Sequence, residues 1–401
     1  MLALILFILT YAALAAGRVP LLALDRTGIA LVGAAAFLAT RQLSLDQALA
    51  AVDAPTLIIL FGMMLLSAQY EHAGLYERIV AWLSGVQSPR RLLLAMVGVT
   101  AGLSALLTND VICFALTPLL LRVCRRAGLP PSPYLLAIAC ASNIGSALTP
   151  IGNPQNMLIA NRMGLALAPF AAACALPVMA SLGALYALLR RQVPSRSAAV
   201  PPAPGEGVAS HAGNAFGARK AIASTLGVVA LLLSPLPSYL AGVALVGVTL
   251  TTRRQKTADT LRHVDWGLLC LFLGLFTVMA GFEAAGWAQA LSTGLGAWGL
   301  DVDKPMILAP LVATLSNLIS NVPAVMLLLP LVQKTQATGY LLALASTFAG
   351  NAVIVGSIAN LIVVEQARRA GVPISFWEHA RVGLPVTVAS LLACTLMLSF
   401  P

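Results

Sequence analysis

The chain contains an internal duplication, and this feature constrains its fold more than any other. Residues 52–118 recur 212 positions later, so that Asp53 matches Asp265 and Asn109 matches Asn321. A second block recurs at an offset of 204, where Asn156 matches Asn360. Apolar matches arise easily by chance in a chain that is 59% hydrophobic, but Asp, Gly, Asn and Pro matches do not. Duplicated membrane units with matched polar interruptions are typical of secondary transporters.

The composition indicates a membrane protein. Only 9% of the residues are charged and the mean hydropathy is +0.90, whereas soluble domains are about 25% charged. The net charge of +10 lies in small groups between apolar runs and forms no aromatic-basic patch, which argues against nucleic-acid binding. We therefore expect the lipid bilayer as the main partner and an all-α polytopic membrane fold.

Ten apolar runs predict ten spanning helices, five in each repeat. We place the first repeat at 1–190, a cytoplasmic linker at 191–219 and the second repeat at 220–401. The predicted spans are 1–17, 27–40, 54–70, 132–160, 167–189, 221–236, 238–252, 266–282, 338–366 and 383–400.

Two further apolar stretches predict re-entrant hairpins, at about 90–124 and 305–333. In the first, Thr108-Asn109-Asp110 separates two apolar arms, and the second arm, Val111–Leu121, is short for a hydrocarbon core of about 30 Å. Ser320-Asn321 occupies the equivalent tip in the second half. Non-helical backbone at mid-depth is tolerated only inside protein or beside a water-filled cavity, so the tips are expected to face a binding site.

Five spans and one hairpin per half give an odd number of crossings, which predicts that the two repeats are inverted. With the N-terminus outside, 20 of the 24 Lys and Arg residues fall on the inside, as the positive-inside rule requires. Arg18, Arg196, Arg253 and Arg254 belong to this inside group. We expect both termini outside a bacterial inner membrane.

The spans 132–160 and 338–366 each contain polar residues in their middle, which predicts broken helices at the membrane midplane. Pro150 and Pro154 disfavour helix, and Gly145 and Gly152 permit unusual backbone angles. A break exposes carbonyl and N–H groups and two half-helix ends, which attract ions. The alternative is a Pro-kinked helix that only packs against neighbours, and the matching interruption in the second half argues against it.

Asp110 is the only carboxylate that we place at mid-depth, and its repeat counterpart is Val322. An intramembrane carboxylate suggests proton or Na+ coupling, although Asp110 is also placed to cap the second hairpin arm. Asp53 and Asp265 are expected at the membrane surface, where they either cap helices or make interfacial hinge contacts, and the four histidines are expected to lie in loops. The pairing of the repeats predicts Asn109 opposite Asn321 and Asn156 opposite Asn360.

These motifs give the predicted binding residues for substrate and ions. They are Thr108, Asn109, Asp110, Ser142, Asn143, Gly145, Thr149, Pro150, Gly152, Asn156, Ser320, Asn321, Ser346, Thr347, Gly350, Asn351, Gly356 and Asn360. We find no catalytic constellation, so no enzyme activity is predicted. We also predict no cofactor and no metal beyond Na+ as a coupling ion.

The motifs around both tips and both breaks resemble the ion transporter superfamily, most closely its arsenite-permease and sodium–proton-antiporter branch. They are Thr108-Asn109-Asp110, the stretch from Ser142 to Asn156, Ser320-Asn321-Val322-Pro323 and the stretch from Gly356 to Glu365. The resemblance implies a transport domain of two hairpins and two broken helices that moves as an elevator in a homodimer. Related divalent anion–sodium symporters carry Ser-Asn-Thr at the tips, whereas both tips here differ at the third position.

The leading functional hypothesis is secondary transport of a small inorganic anion or oxyacid of the arsenite class, coupled to H+ or Na+. The missing tip hydroxyls and the added charge of Asp110 weaken a dicarboxylate interpretation. A sodium–proton antiporter and a Na+-coupled carboxylate symporter remain as alternatives. A membrane-embedded enzyme or receptor has no supporting motif.

Overall fold

The computed structural model describes residues 1–17, 23–86, 88–194, 215–252 and 256–399, and within these ranges it is helical without strands. Most of the predicted linker, and Arg18, Arg196, Arg253 and Arg254 of the charge count, lie outside the described residues. The first-half helices are α1 (Leu2–Ala16), α2 (Arg26–Ala39), α3 (Leu45–Ala51), α4 (Ala54–His72), α5 (Leu75–Ser84), α6 (Pro89–Leu106), α7 (Asn109–Ala127), α8 (Ser132–Ser146), α9 (Pro154–Met163) and α10 (Leu167–Leu189).

The second half repeats this order helix by helix. Its helices are α11 (Ala215–Leu233), α12 (Tyr239–Leu250), α13 (Thr257–Leu261), α14 (Trp266–Ala284), α15 (Trp287–Ala297), α16 (Pro305–Ile319), α17 (Asn321–Leu328), α18 (Gln336–Ala349), α19 (Ile358–Arg369) and α20 (Phe376–Ser399). The halves pack reciprocally, since α2 lies on α14 and α4 lies on α12. At the second contact Gly62 and Gly242 approach so closely that neither position has room for a Cβ.

Equivalent residues start equivalent helices. The Asp53 carboxylate accepts a hydrogen bond from the Thr56 N–H at 3.0 Å, and Asp265 accepts one from the Leu268 N–H at 2.9 Å. These bonds satisfy otherwise free N–H groups at the first turns of α4 and α14, as predicted. Gly74 and Gly286, at φ +64° and +78°, supply the left-handed turns that begin α5 and α15.

Six helices of the described residues are long and apolar enough to cross a membrane: α4, α6, α10, α11, α14 and α20. Four apolar helices are shorter, namely α1, α2, α12 and α16. The predicted all-α polytopic fold is therefore confirmed. α11 begins at Ala215, inside the predicted linker, and α20 begins at Phe376, seven residues before the predicted span.

The predicted length of the second hairpin arm is wrong. The arm is α7, which runs for 19 residues or about 28 Å, because helix-favouring Arg residues extend it beyond the apolar run to Gly128. Neither α6 nor α7 is thus too short to span, and length does not support re-entrance in the first half. In the second half α17 has only eight residues. The re-entrant arrangement stays a prediction.

Candidate functional site

Both predicted helix breaks are present. α8 ends at Ser146 and α9 begins at Pro154, where the Asn153 side chain accepts a hydrogen bond from the Asn156 N–H at 2.9 Å. In the second half α18 ends at Ala349, a short 3₁₀ turn covers Ile354–Gly356, and α19 begins at Ile358. The second break has no proline. There Gly350 follows the last residue of α18, and Ser357, with an extended backbone, precedes the first residue of α19.

One asparagine bridges each break, in the same way in both halves. The Asn156 amide donates to the carbonyls of Ser146 and Thr149, each at 3.3 Å. The Asn360 amide donates to the carbonyls of Gly350 and Val353, at 2.7 and 3.2 Å. Ser146 and Gly350 are 204 positions apart in the sequence, and so are Thr149 and Val353. The repeat offset therefore holds inside the breaks as well as in the helices.

Each break is also bonded to the opposite half, and Asn143 is the centre of one set of bonds. Its Oδ1 accepts from the Asn109 amide at 2.9 Å and from the Ser357 hydroxyl at 3.0 Å. Its Nδ2 donates to Asn351 Oδ1 at 2.9 Å and to Asn360 Oδ1 at 3.2 Å. One side chain therefore connects the first tip with the second break.

Thr347, the repeat equivalent of Asn143, makes the reciprocal bonds. Its hydroxyl accepts from the Asn153 amide at 3.1 Å and from the Gln155 amide at 3.4 Å, and it donates to Asn156 Oδ1 at 3.3 Å. Asn143 and Thr347 thus bind equivalent positions of the opposite breaks, as a pseudo-two-fold axis requires. We call the interconnected set the amide cluster, and its members, all buried, are Asn109, Asn143, Asn153, Gln155, Asn156, Thr347, Asn351, Ser357 and Asn360.

The two tips differ in their bonding. At the first tip, the Asn109 N–H donates to the Gly152 carbonyl at 3.2 Å and the Thr149 hydroxyl donates to the Ala105 carbonyl at 2.5 Å. At the second tip, the Oδ1 atom of Asn321 is buried without a hydrogen-bond partner among the described residues. Asn109 therefore bonds Asn143, and no hydrogen bond joins it to Asn321 within the described residues; that the two asparagines face each other stays a prediction.

No hydrogen bond joins Asn156 directly to Asn360 within the described residues, and the prediction that they face each other stays a prediction. The two asparagines are linked through intermediates, because Asn156 bonds Thr347 while Asn360 bonds Asn143. A two-fold axis relates equivalent residues without bringing them into contact. The sequence offset therefore identified the members of the site but not their partners.

Several predicted residues support the site without joining the cluster. The Ser142 and Ser346 hydroxyls donate to carbonyls of their own helices, at 2.9 and 3.2 Å. Gly145 packs against the backbone of α6, and Gly152 against the Ser146 and Ser104 carbonyls. Thr108 is buried and its side chain makes no capping bond to α7.

The remaining predicted residues lie at the edges of the cluster. Pro150 lines a cavity of about 320 Å³ between α9 and the segment that precedes α12. Ser320 sits at the second tip with φ +79° and ψ 159°, a conformation that is almost restricted to glycine. Strain of this kind collects at ligand-binding positions, where surrounding contacts maintain it.

Asp110 lies in the first turn of α7, next to Asn109, and is half-buried. Among the described residues no Lys or Arg forms an ion pair with it. The free N–H groups of α7 stabilise a negative charge at this position through the helix dipole. No side-chain bond from Asp110 to those N–H groups is found in the described part of the chain. A negative charge on Asp110 is therefore stabilised by the helix dipole and not by a capping bond.

Two residues of the site, Asn317 and His379, were not predicted from the sequence. Asn317 lies one helical turn before Asn321, and its amide donates to the Ala349 carbonyl at 3.0 Å, at the edge of the second break. Its Oδ1 is buried without a partner within the described ranges. The repeated dipeptides Ser316-Asn317 and Ser320-Asn321, spaced by one helical turn, were the available signal.

His379 is the second missed residue, because it was expected in a loop. It lies in α20, fully buried, with Nε2 3.0 Å from the Asn351 carbonyl oxygen. The signal was a capping box, in which the Ser375 hydroxyl accepts from the Glu378 N–H at 3.1 Å and the Glu378 carboxylate accepts from the Ser375 N–H at 3.4 Å. This motif starts α20 before His379. His72 is likewise helical, as the last residue of α4.

Comparison with known proteins is consistent with this architecture. The rice silicon efflux transporter LSI3 is 31% identical over 92% of this chain and 91% of its own length. A 46 kDa membrane protein of Mycobacterium leprae is 31% identical over 97% of this chain and 96% of its length. The structure of the YdaH transporter of Alcanivorax borkumensis superimposes with a TM-score of 0.60 at 17% identity, covering 99% of this chain and 96% of that one, which shows a shared fold.

The sequence model of the citrate transporter family, CitMHS, matches residues 4–349, most of the chain. Together with the all-α fold, the apolar candidate spans and the relatives named as transporters, this match identifies a multi-pass membrane transport protein. The chain belongs to the citrate transporter (CitMHS) family.

Proposed function

We propose that the protein is a secondary active transporter of a small inorganic oxyacid of the arsenite class, coupled to H+ or Na+. The observation that carries this proposal is the amide cluster, which offers N–H donors and oxygen acceptors but no cationic side chain among its bonds. An uncharged oxyacid presents hydroxyl groups that both donate and accept, which matches amides and threonine hydroxyls. The name of the rice relative, a silicon efflux transporter, points to the same chemical class.

A multiply charged carboxylate such as citrate fits this site less well, although the family is named for it. Buried carboxylates need paired cations or several charge-assisted bonds, and Arg is the residue that supplies them best. The titratable side chain nearest the first tip is Asp110, which repels anions. Two alternatives keep their own support. The family name supports a carboxylate symporter, and Asp110, the carboxylate beside the first tip, supports a sodium–proton antiporter.

Proteoliposomes under imposed gradients distinguish these three functions. We expect arsenite or silicic acid to accumulate against its gradient when a proton or sodium gradient is applied, and citrate to do so at least about 10-fold more slowly. Exchange of Na+ for H+ in the absence of any oxyacid would establish the antiporter instead. Citrate uptake at the higher rate would overturn the oxyacid proposal in favour of a carboxylate symporter.

We assign the coupling ion to Asp110, helped by Asn109. The Asp110→Asn protein keeps the size of the side chain but carries no charge, so it is expected to exchange oxyacid without accumulating it. Asp301→Asn, in an exposed loop, is the matched control and is expected to behave as the natural protein. An Asp110→Asn protein with an unchanged coupling ratio would remove Asp110 from the mechanism.

Alternating access is supported by a contact that, among the described residues, the first half makes and the second half does not. At the end of α9, Arg162 forms an ion pair with Asp53 at 2.7 Å, and Asn161 bonds Thr56 and Ser238 at 2.9 and 2.7 Å. These residues link α9 to α4 and to the start of α12, and we call them the α9 latch.

The equivalent latch in the second half is open. Gln366, the counterpart of Arg162, donates to the Phe114 carbonyl on α7 at 3.1 Å, and Glu365 pairs with Arg368 and Arg369 on its own helix. α19 therefore packs on α7 where α9 packs on α4. An elevator with one closed face requires the two repeats to be in different arrangements, as they are here. With the N-terminus outside, as we propose, the closed α9 latch would lie at the outer face.

We further propose a homodimer in the inner membrane with both termini outside, because an elevator needs a scaffold that stays fixed in the bilayer. The scaffold would comprise α1–α4 and α11–α14, the reciprocally packed helices. Native mass spectrometry of the purified protein tests the dimer, and a reporter fused at the C-terminus tests the orientation. A monomeric protein with full transport activity would remove the dimer from the proposal.

A further inference from the structure

His379 is a buried imidazole that the transport scheme above does not use. Its Nε2 lies 3.0 Å from the Asn351 carbonyl oxygen, and its Nδ1 is buried with no hydrogen-bond partner in the described part of the chain. One turn further along α20, Gly383 lies so close to the same carbonyl that no side chain fits there. α20 thus holds the backbone of the second break at one atom.

The partner of Nε2 determines which nitrogen carries hydrogen. A carbonyl oxygen only accepts, so Nε2 must donate and the neutral imidazole presents a lone pair at Nδ1. Addition of a proton forms an N–H bond at Nδ1 and leaves the Nε2–H bond to Asn351 in place. Because a hydrogen bond from a charged donor is roughly twice as strong as a neutral one, protonation tightens the hold of α20 on the second break.

Burial opposes a positive charge on His379, and one feature of its surroundings offsets part of that cost. The Asn351 carbonyl lies just beyond the C-terminal end of α18, where the helix dipole places partial negative charge. The elements packed against α20 are α8, α10, α16, α18 and the 3₁₀ turn, and their titratable side chains are all tyrosines and cysteines: Tyr134, Cys140, Cys174, Tyr186 and Tyr340. On α20 itself, Glu378 is bonded by the Ser132 hydroxyl and Arg381 is exposed. His379 is therefore the group in these elements that ordinarily titrates between pH 5 and 8.

Asn351 connects His379 to the first tip. Its carbonyl accepts from His379, its side-chain oxygen accepts from Asn143, and Asn143 in turn accepts from Asn109. The repeat equivalent of Asn351 is Ala147, so the first half lacks this connection. The two halves therefore contribute different titratable groups, Asp110 beside the first tip and His379 behind the second break.

We propose that His379 is a proton-binding positioning residue: it takes up a proton at Nδ1 from water on one side of the membrane, returns it on the other, and sets how firmly the second break is held. This inference deepens the proposed transport function and rests on it for its role in the cycle. Proton binding itself is tested separately, so that the two can fail independently.

The first experiment measures proton binding without any substrate. In the full-length protein labelled with ¹⁵N-histidine, comparison with His379→Gln assigns the His379 resonances among the four histidines. We expect Nδ1 to gain a proton between pH 8 and pH 5 while Nε2 keeps its own. An Nδ1 that stays unprotonated at pH 5 would overturn the proposal.

The second experiment measures arsenite flux in proteoliposomes at several pH values. One titrating site changes the flux by up to about 10-fold per pH unit, and His379→Gln, which keeps an amide donor for the Asn351 carbonyl, is expected to flatten this to about 2-fold. His72→Gln is the matched control and keeps the natural profile. A folded His379→Gln protein with the natural profile would refute the role in the cycle. If the natural protein moves no arsenite, the transport proposal fails and the resonance titration alone decides whether His379 binds a proton.

Discussion

The equivalent asparagines Asn156 and Asn360 allow a quantitative test of the two-fold design. Each is replaced by alanine in a separate variant. Both side chains donate to two carbonyls of their own break and accept one bond from the opposite half, so each variant loses three hydrogen bonds. If the two breaks are built alike, the two variants must lose similar stability.

The expected loss follows from these bonds. A buried neutral hydrogen bond contributes about 1 kcal/mol net, and a carbonyl left without a partner costs about 1–3 kcal/mol. Measured values inside membrane proteins are lower, about 0.6 kcal/mol per bond, which sets a lower limit near 2 kcal/mol for three bonds. We therefore expect each variant to lose about 3 kcal/mol in the free energy of unfolding.

Reversible unfolding in mixed micelles, driven by increasing SDS, gives these free energies. Ser84→Ala is the control, since its hydroxyl makes one exposed bond to the Ala81 carbonyl and its loss is expected to be below about 0.5 kcal/mol. A loss of about 3 kcal/mol for Asn156→Ala with less than about 1 kcal/mol for Asn360→Ala would refute equivalent bridging of the two breaks.

Three further changes test other parts of the architecture. Gly145→Ala places a methyl group against the α6 backbone and is expected to lower the free energy of unfolding by at least about 3 kcal/mol. Gly102→Ala, where the methyl group has open space, is expected to raise it by up to about 1 kcal/mol. Thermal unfolding of both variants measures the difference. Ser320→Gly removes backbone strain and is expected to stabilise the protein by about 1 kcal/mol in the same measurement, and a loss would contradict the strained tip. Arg162→Gln opens the α9 latch, so a cysteine placed at Ala51, whose carbonyl Arg162 bonds, is expected to react faster with a membrane-impermeant maleimide in this background than with Arg162 present; equal rates would argue against a latch.

Features that depend on neighbouring residues, such as helix starts and breaks, were predictable from the sequence. Hydrogen-bond partners, which depend on tertiary geometry, were not. Asp53 and Asp265 begin α4 and α14 because a capping bond involves only neighbouring residues, which a sequence reveals. The breaks were predictable for a similar reason, since Pro, Gly and Asn act on their own backbone. The partners of Asn109 were not predictable, because a repeat offset identifies equivalent positions and a pseudo-two-fold axis brings non-equivalent ones together.

The end of α7 and the start of α20, which were predicted wrongly, both have local signals in the sequence. The arginines that follow the apolar run of α7 favour helix, so apolar length underestimated the helix. The capping box of Ser375 and Glu378 places the start of α20 before His379, which apolarity alone did not show. In both cases hydrophobicity was used to find helix ends, although it reports burial in lipid and not helix formation.

The distribution of unsatisfied atoms indicates which half of the site a ligand completes. Among the described asparagines of the tips and breaks, Asn317 Oδ1, Asn321 Oδ1 and Asn351 Nδ2 are buried without hydrogen bonds and belong to the second half, whereas the Asn109 amide donates to Asn143. In the first half, the unpartnered buried groups near the tip are the Thr100 and Ser104 hydroxyls of α6, which lie one to two turns before it. Unpaired buried polar atoms cost about 1–3 kcal/mol each, so a ligand that bonds them gains affinity without breaking existing bonds. The strained Ser320 lies between two of these atoms along the chain. A bound oxyacid would therefore stabilise the second tip more than the first, and hydrogen exchange with arsenite present should slow in α17 before it slows in α7.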